Sequence, residues 1–132
     1  MIEKTQNKPV SQIENIVNGL SVIVYKCLVD LDWTMLYMSD SMKDVTGYKP
    51  DDFIGFDSKM TYSSIICEED RDLVANIIAK AMVKNSNFEM TYSIINAEGK
   101  KVPVFEKGRF VKEKQTLIEG IIFPISSLQE EN

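Results

Sequence analysis

The sequence contains no histidine. The side chains that remain for reactive chemistry are two cysteines, several carboxylates and five tyrosines. Without histidine, the chain by itself can form no His-based catalytic triad, no His-ligated haem and few catalytic zinc sites. Cys27 and Cys67 are far apart and form no CxxC pair, which excludes a four-thiolate metal site. Cys67 precedes a predicted helix, whose first amides would lower the pKa of its thiol and favour a redox role. We favour an inert, buried thiol for both cysteines.

The acidic residues that cluster in the sequence have ordinary structural explanations. Glu68-Glu69-Asp70 could bind a divalent cation or act in acid–base chemistry, but acidic residues are also favoured at the N-terminus of a helix. Asp30 and Asp32 are typical of a turn. We therefore expect no catalytic residue, no metal site and no enzymatic activity.

The composition is that of one globular domain with an acidic surface. The chain has 132 residues, of which 44% are hydrophobic, and 20 acidic against 15 basic residues give a net charge of −5. Net acidity with scattered basic residues argues against a nucleic-acid partner. The apolar stretches are too short to span a bilayer, and the first residues lack the apolar core of a signal peptide, so we expect no membrane contact and a cytoplasmic, reducing location.

Hydrophobic periodicity predicts two strands, a series of short helical pieces, one long helix and three further strands. The long helix is expected at about residues 69–84, where apolar side chains recur along one face. Alternating residues predict the strands at residues 20–29, 34–39, 88–95, 102–111 and 116–125. This order predicts an α+β fold, with a five-stranded antiparallel sheet covered on one face by short helices and one longer helix.

Six short pieces of the sequence, in order, resemble the PAS domain. They are Val24–Cys27, Asp32–Ser41, Thr46–Gly55, Glu69–Arg71, Glu98–Lys100 and Glu119–Phe123. The resemblance covers residues 20–126, preceded by a polar lead-in and short amphipathic helix at residues 1–19 and followed by a tail at 127–132. It implies a sensory or regulatory module of the kind found in bacterial histidine kinases, chemotaxis receptors and diguanylate cyclases. Such a module acts on an effector domain with kinase, chemotaxis or cyclase output, in the same chain or another.

The sequence departs from the family pattern at positions that matter for cofactors and output. The segment Phe56–Thr61 lacks the cysteine that forms a flavin adduct in light-sensing relatives, and the missing histidine excludes the usual haem ligand. These departures argue against both groups and leave the cofactor unknown. The last strand ends in Pro124-Ile125-Ser126 instead of Asp-Ile-Thr, which puts the usual output coupling in doubt, and Pro103 replaces a common tryptophan.

The resemblance also implies which residues would line a ligand cavity between the sheet and the helices. These are Tyr25, Leu36, Met38, Met42, Val45, Thr46, Ile54, Met60, Ile77, Met90, Tyr92, Phe110, Ile121 and Phe123. The methionines could form a pliable pocket for a small apolar ligand, or they could simply fill the core. A carboxylate inside the pocket would favour a small isomerase-type enzyme, and the pattern allows only Glu106 or Glu119 to reach it.

Self-association is the other function that the sequence suggests. We expect a homodimer whose interface combines the apolar face of the first helix with the outer face of the sheet. Its candidate residues are Ile13, Ile16, Val17, Leu20, Phe105 and Ile122. The alternative to a ligand sensor is therefore a ligand-free dimerisation module with a filled core.

Overall fold

The computed structural model describes residues 12–125, so the predicted tail and most of the predicted lead-in lie outside the described residues. Residues 12–19 form helix α1. The elements that follow are β1 (Ile23–Leu28), β2 (Met35–Met38), α2 (Ser41–Thr46), a 3-10 turn (Pro50–Asp52), α3 (Tyr62–Ile65), α4 (Glu68–Lys84), β3 (Phe88–Ile95), β4 (Lys101–Lys112) and β5 (Thr116–Pro124). The predicted α+β fold and the predicted element order are confirmed.

The strands form one open antiparallel sheet in the order β2-β1-β5-β4-β3. Strict alternation in β3 places Phe88, Met90, Tyr92 and Ile94 on the inner face, where all four are buried. The inner face of β1 contributes Ile23, Tyr25 and Cys27 to the same core. Helices α2, α3 and α4 supply its other side, with residues such as Met42, Tyr62 and Val74. The core therefore lies between one sheet face and the helices, as the sequence predicts.

The predicted orientation of β5 is wrong by one residue. Ile122 was expected on the outer face but is fully buried in the core, whereas Ile121 and Phe123 lie on the outer face. Phe123 packs there against Phe105, with ring centroids 5.2 Å apart. Because side chains alternate along a strand, a shift of one position moves every residue to the opposite face.

Gly120 is the inner-face residue of β5 that makes room for Tyr25. A Cβ at this position would lie 2.7 Å from the Tyr25 hydroxyl and 2.5 Å from the backbone oxygen of Lys107. Both distances are shorter than real carbon contacts allow. The absence of a side chain at Gly120 thus lets the Tyr25 ring lie directly over the sheet.

Helix α4 is anchored to its surroundings by polar side chains from its first turn. The Ser93 amide donates a hydrogen bond to Asp70 at 2.9 Å, and the Arg71 guanidinium donates to the carbonyls of Ile66 and Ser64. Glu69 instead forms an exposed ion pair with Lys101. The three neighbouring acidic residues at this helix start therefore do not converge on one point.

The outer face of the sheet is charged and its ions are paired. Glu119 on β5 accepts a hydrogen bond from Arg109 at 3.0 Å and lies 3.8 Å from the Lys26 ammonium. Glu89 on β3 lies 3.6 Å from Lys107. Each of these carboxylates thus has a cation on a neighbouring strand.

Within residues 12–125, no helix is both long enough and apolar enough to cross a bilayer.

Candidate functional site

The most distinctive feature of the interior is a set of four polar side chains, which we call the tyrosine–glutamate cluster: Tyr25, Tyr62, Tyr92 and Glu106. The Tyr25 hydroxyl donates a short hydrogen bond to Oε2 of Glu106, and the Tyr92 hydroxyl donates to Oε1 at 2.5 Å. The hydroxyls of Tyr62 and Tyr92 are 2.9 Å apart. The side chains come from β1, α3, β3 and β4, so the whole fold is needed to bring them together.

The environment of Glu106 opposes its ionisation. Its exposed fraction is 6%, and burial raises the pKa of the carboxyl, although the hydrogen bonds from Tyr25 and Tyr92 partly offset this effect. None of the ion pairs found in residues 12–125 includes Glu106. A carboxyl held only by neutral donors in the core is unusual, because buried charges in proteins are normally paired.

The tyrosines of the cluster stay protonated and act as donors. Burial, followed by the nearby Glu106, raises the pKa of Tyr25 and Tyr92 well above the usual tyrosine value. The pKa of Tyr62 is raised by the same two causes. Glu106 is therefore the acceptor on which the hydroxyls of Tyr25 and Tyr92 converge.

A small cavity of about 20 Å³ lies against Glu106, Tyr25 and Tyr62. Its remaining walls are mostly apolar and are formed by Cys27, Trp33, Met35, Ile66, Val74, Ile78, Ile118 and Ile122. This volume is enough for about one water molecule, which needs roughly 10–15 Å³ measured in this way. The cavity is thus too small to hold a drug-sized ligand in the described conformation.

A larger open cleft of about 350 Å³ adjoins this cavity, between the β1–β2 turn and α4. The cavity and the cleft share four lining residues, namely Trp33, Ile66, Val74 and Ile78. The cleft is further lined by Val29, Asp30, Leu31, Ser63, Arg71, Asp72, Ala75, Ala79 and Met82. Its volume is in the range typical of small-molecule pockets, roughly 300–1,000 Å³.

Trp33 stands between the cleft and the cavity in a strained backbone conformation. Its φ angle is 53°, in the left-handed region that bulky residues rarely adopt. Asp30 holds the turn in place, because its two oxygens accept from the Thr34 amide at 2.9 Å and the Thr34 hydroxyl at 2.7 Å. Such a conformation costs about 1–3 kcal/mol and occurs preferentially at ligand sites and switch regions.

The structure divides the residues that were expected to line the cavity into several groups. Tyr25 lines it, and Tyr92 belongs to the adjoining cluster. The methionines Met38, Met42 and Met90 are buried in the packed core and do not line it. Five more of the predicted residues are partly buried and pack against this core, namely Val45, Ile54, Met60, Ile77 and Phe110.

The remaining four predicted residues lie elsewhere. The Thr46 hydroxyl is buried but donates to the Met42 carbonyl at 2.7 Å, within its own helix. Leu36 is 42% exposed, and Ile121 and Phe123 are on the outer face, so their placement in the cavity is corrected. The short strand β2 has two consecutive exposed residues, which breaks the alternation on which the Leu36 prediction rested.

Three important site residues were missed or left undecided by the sequence. The sequence suggests Glu106 only as a possible inward carboxylate, and it gives no signal for Trp33. Tyr62 was not considered. The alternation of β4, with Val104, Glu106 and Gly108 on one face, was the signal that could have placed Glu106 inside.

The surroundings of Cys67 contradict a redox role and agree with the interpretation of an inert thiol. The residue is 4% exposed, and burial, with a contribution from Glu69, raises the pKa of its thiol instead of lowering it. Burial also raises the pKa of Cys27. Both cysteines are unpaired and buried. In residues 12–125, no group of three or more cysteine and carboxylate side chains is arranged to hold a metal ion.

The residues predicted to form the dimer interface do not share one surface in the structure. Ile13, Ile16 and Leu20 are about 60% exposed, Val17 is partly buried, and Phe105 lies on the outer face of the sheet. Ile122 belongs to the core, as described above.

Comparisons with known proteins give a consistent result for the fold. Residues 35–122 match the family described as PAS fold. The N-terminal domain of a diguanylate cyclase with PAS/PAC sensor from Marinobacter aquaeolei is similar in structure, with a TM-score of 0.68 and 16% identity over 82% of this chain and 98% of that one. A sensory box histidine kinase/response regulator from Burkholderia thailandensis has the same TM-score, with 15% identity over 91% of this chain and 88% of its own.

A more distant organism supplies a third similar structure, the PAS-B domain of Drosophila melanogaster Cycle with bound glycerol. Its TM-score is 0.65, with 11% identity over 77% of this chain and 98% of that chain. No curated protein matches the sequence at a significant level.

Proposed function

The chain belongs to the PAS family, and from this premise we propose that it is a sensory or regulatory module of a signal-transduction protein. In this proposal a small molecule binds in the cleft beside Trp33, and the binding changes the activity of an effector domain in the same chain or a partner. A kinase, chemotaxis or cyclase output would suit such a module, since the similar structures include parts of a diguanylate cyclase and a histidine kinase. Two buried, unpaired cysteines support a reducing compartment, and we place the module in the cytoplasm.

The observation that carries this proposal is the position of the tyrosine–glutamate cluster beneath an open cleft. A core that only holds the fold together is more stable without a buried carboxyl, because burial of a polar group costs free energy unless it is fully bonded. The cleft of about 350 Å³ is large enough for a small organic molecule, whereas the inner cavity is not. Met38, Met42 and Met90 belong to the buried core beside it.

A catalytic role for Glu106 is a poorer interpretation of the same residues. Both of its carboxyl oxygens already accept hydrogen bonds from tyrosines, and the cavity beside it has room for about one water molecule. A general base must reach the proton of a bound substrate. We therefore favour a sensor over a small isomerase.

Native mass spectrometry of the protein purified from its own host tests this proposal. We expect a non-covalent adduct of low molecular mass that is lost under denaturing conditions. An Ala75→Trp variant should lose the adduct because Ala75 is exposed and lines the cleft, so the new ring fills the cleft without entering the core. The matched control is Asn76→Trp, at an exposed neighbour outside the cleft, which should keep the adduct. A bare chain mass in the unaltered protein, or an adduct that survives in Ala75→Trp, would count against a ligand in this cleft.

A second candidate function is dimerisation without a ligand. It is favoured by the exposed apolar residues of the first helix, Ile13, Ile16 and Leu20, which nothing covers among residues 12–125. Analytical ultracentrifugation of the unaltered chain and of an Ile13→Glu/Ile16→Glu variant tests it. A dimer that dissociates in the variant, together with a bare chain mass in the native spectra, would establish this second function in place of the first.

A further inference from the structure

We propose that the ligand of the cleft is a small apolar amine, whose ammonium group pairs with Glu106 while its apolar body lies against Trp33. This inference rests on the proposed sensory function and adds the chemical class of the ligand. It follows from three properties of the site: the charge of its inner end, the size of each compartment and the composition of the walls.

Among residues 12–125 no cation pairs with the carboxyl at the inner end of the site, and an ammonium group beside it would favour its ionised form. Glu106 lines the cavity, and the donors that reach its oxygens are the neutral hydroxyls of Tyr25 and Tyr92. A carboxylate can accept about four hydrogen bonds, so these two donors leave acceptor sites unused. An ammonium group would supply both the missing donors and the missing positive charge, and charge-assisted hydrogen bonds of this kind are stronger than neutral ones.

The sizes of the two compartments match the two parts of such a molecule. The cavity of about 20 Å³ has room for a group the size of one water molecule, which an ammonium resembles. The cleft of about 350 Å³ has room for a ring or a short hydrocarbon chain. Trp33, Ile66, Val74 and Ile78 line both spaces, so a movement of these side chains would let one molecule occupy both.

The walls of the cleft favour an apolar body and disfavour an anion. Most of its lining is aliphatic or aromatic, and an indole such as that of Trp33 attracts cations through its ring face. The rim carries the carboxylates of Asp30 and Asp72 as well as the guanidinium of Arg71. Arg71 directs its Nε and Nη2 to the carbonyls of Ile66 and Ser64, so these donors are already engaged.

Isothermal titration of the full chain with three matched probes tests the inference. The probes are phenethylamine, phenethyl alcohol and phenylacetate, which combine one ring with a cationic, a neutral and an anionic end. We expect phenethylamine to bind about tenfold or more tightly than the alcohol, as a hydrogen bond to a charged group allows, and phenylacetate to bind most weakly.

Two variants assign the binding to this site. Glu106→Gln keeps the shape of the side chain but removes its charge, so the advantage of the amine over the alcohol should disappear. Glu119→Gln removes a carboxylate from the outer face and should leave the affinity for the amine unchanged. If Glu106→Gln does not fold, the carboxyl carbon shift of Glu106 in the unaltered chain, measured by NMR during the titration, replaces it and should change on binding the amine.

Equal affinity for the amine and the alcohol would overturn the inference, as would binding that is unaffected by Glu106→Gln or by Ala75→Trp. If none of the probes binds while the native spectra contain an adduct that Ala75→Trp removes, the amine is wrong and the sensory function stands. If neither the probes nor an adduct is seen, both proposals fail.

Discussion

Two glutamates on neighbouring strands, Glu106 and Glu119, have very different surroundings on the two faces of the sheet. Glu119 on β5 faces outward, where Arg109 and Lys26 neutralise it and water reaches it. Glu106 on β4 faces inward, where it is 6% exposed and is held by the hydroxyls of Tyr25 and Tyr92. The outer charge is balanced locally and belongs to the surface. The inner one lies in the core beside a cavity, and this difference supports our proposal that the inner face is the site of function.

The largest expected effect of this difference is on the free energy of unfolding. Glu106→Ala removes the acceptor of two buried tyrosine hydroxyls and leaves a void, so it should reduce the free energy of unfolding by about 2–4 kcal/mol. Glu119→Ala, the matched change on the outer face, should cost less than about 1 kcal/mol because its ion pairs are exposed to solvent. Urea unfolding of both variants checks this. Similar losses would mean that the two faces do not differ in the way described.

A smaller loss of unfolding free energy is expected when Gly120, which makes room for Tyr25, is changed instead of Glu106. Gly120→Ala places a methyl group against the Tyr25 ring and the Lys107 backbone, which should cost about 1–3 kcal/mol through overpacking. Gly19→Ala is a suitable control, since a Cβ there meets nothing within 4 Å. Urea unfolding compares the two chains. An unchanged midpoint for Gly120→Ala would show that Tyr25 has room to move away from Glu106.

The fold and the site differ in how well the sequence predicts them. The strands and α4 follow from the periodic spacing of apolar residues, as in β3, where buried and exposed residues alternate from Phe88 to Ile94. Strand β5 has apolar residues at both parities, with Leu117 beside Ile118 and Ile121 beside Ile122, so alternation cannot decide its face. Gly120, which lies on the inner face, has no side chain and so gives no further indication of which face is buried.

The site residues have weaker signals for a physical reason. Hydrophobic patterning alone predicts that a carboxyl faces outward. A glutamate that accepts hydrogen bonds from tyrosines of β1 and β3 is therefore recognised only after the strands are paired. The strained backbone of Trp33 likewise depends on the turn that Asp30 closes. Of the methionines expected in the pocket, Met38, Met42 and Met90 are core residues that do not line the cavity.

The pH dependence of stability tests the inner glutamate alone, because the reference variant Glu106→Gln keeps the shape of the side chain. Burial raises the pKa of Glu106, so the folded chain retains a proton that the unfolded chain has already released. Its contribution to stability is therefore full below the usual glutamate pKa and is lost as the pH rises through the pKa of the folded chain. The free energy of unfolding of the unaltered chain should fall over this range relative to Glu106→Gln. Chemical denaturation from about pH 4 to about pH 8 measures the difference. A constant difference would show that Glu106 titrates as it does in the unfolded chain.

The smallest effect is expected from salt. Raising the ionic strength screens exposed pairs such as Arg109 with Glu119 but not the buried hydrogen bonds of Glu106. The small cost of Glu119→Ala should therefore shrink further in high salt, while the cost of Glu106→Ala should stay nearly constant. Unfolding curves at low and high salt compare them. A cost of Glu106→Ala that falls with salt would place that carboxyl in contact with solvent.

The position of Trp33 has a practical consequence. It is the single tryptophan of the chain, and it lines both the cleft and the cavity. The intrinsic fluorescence of the unlabelled protein, excited at the red edge of protein absorption, therefore comes from this one indole. Its emission maximum and its quenching by dissolved iodide or acrylamide report directly on whether the entrance to the interior is wet, dry or occupied. The molecule thus carries its own optical probe at the place where a ligand would enter.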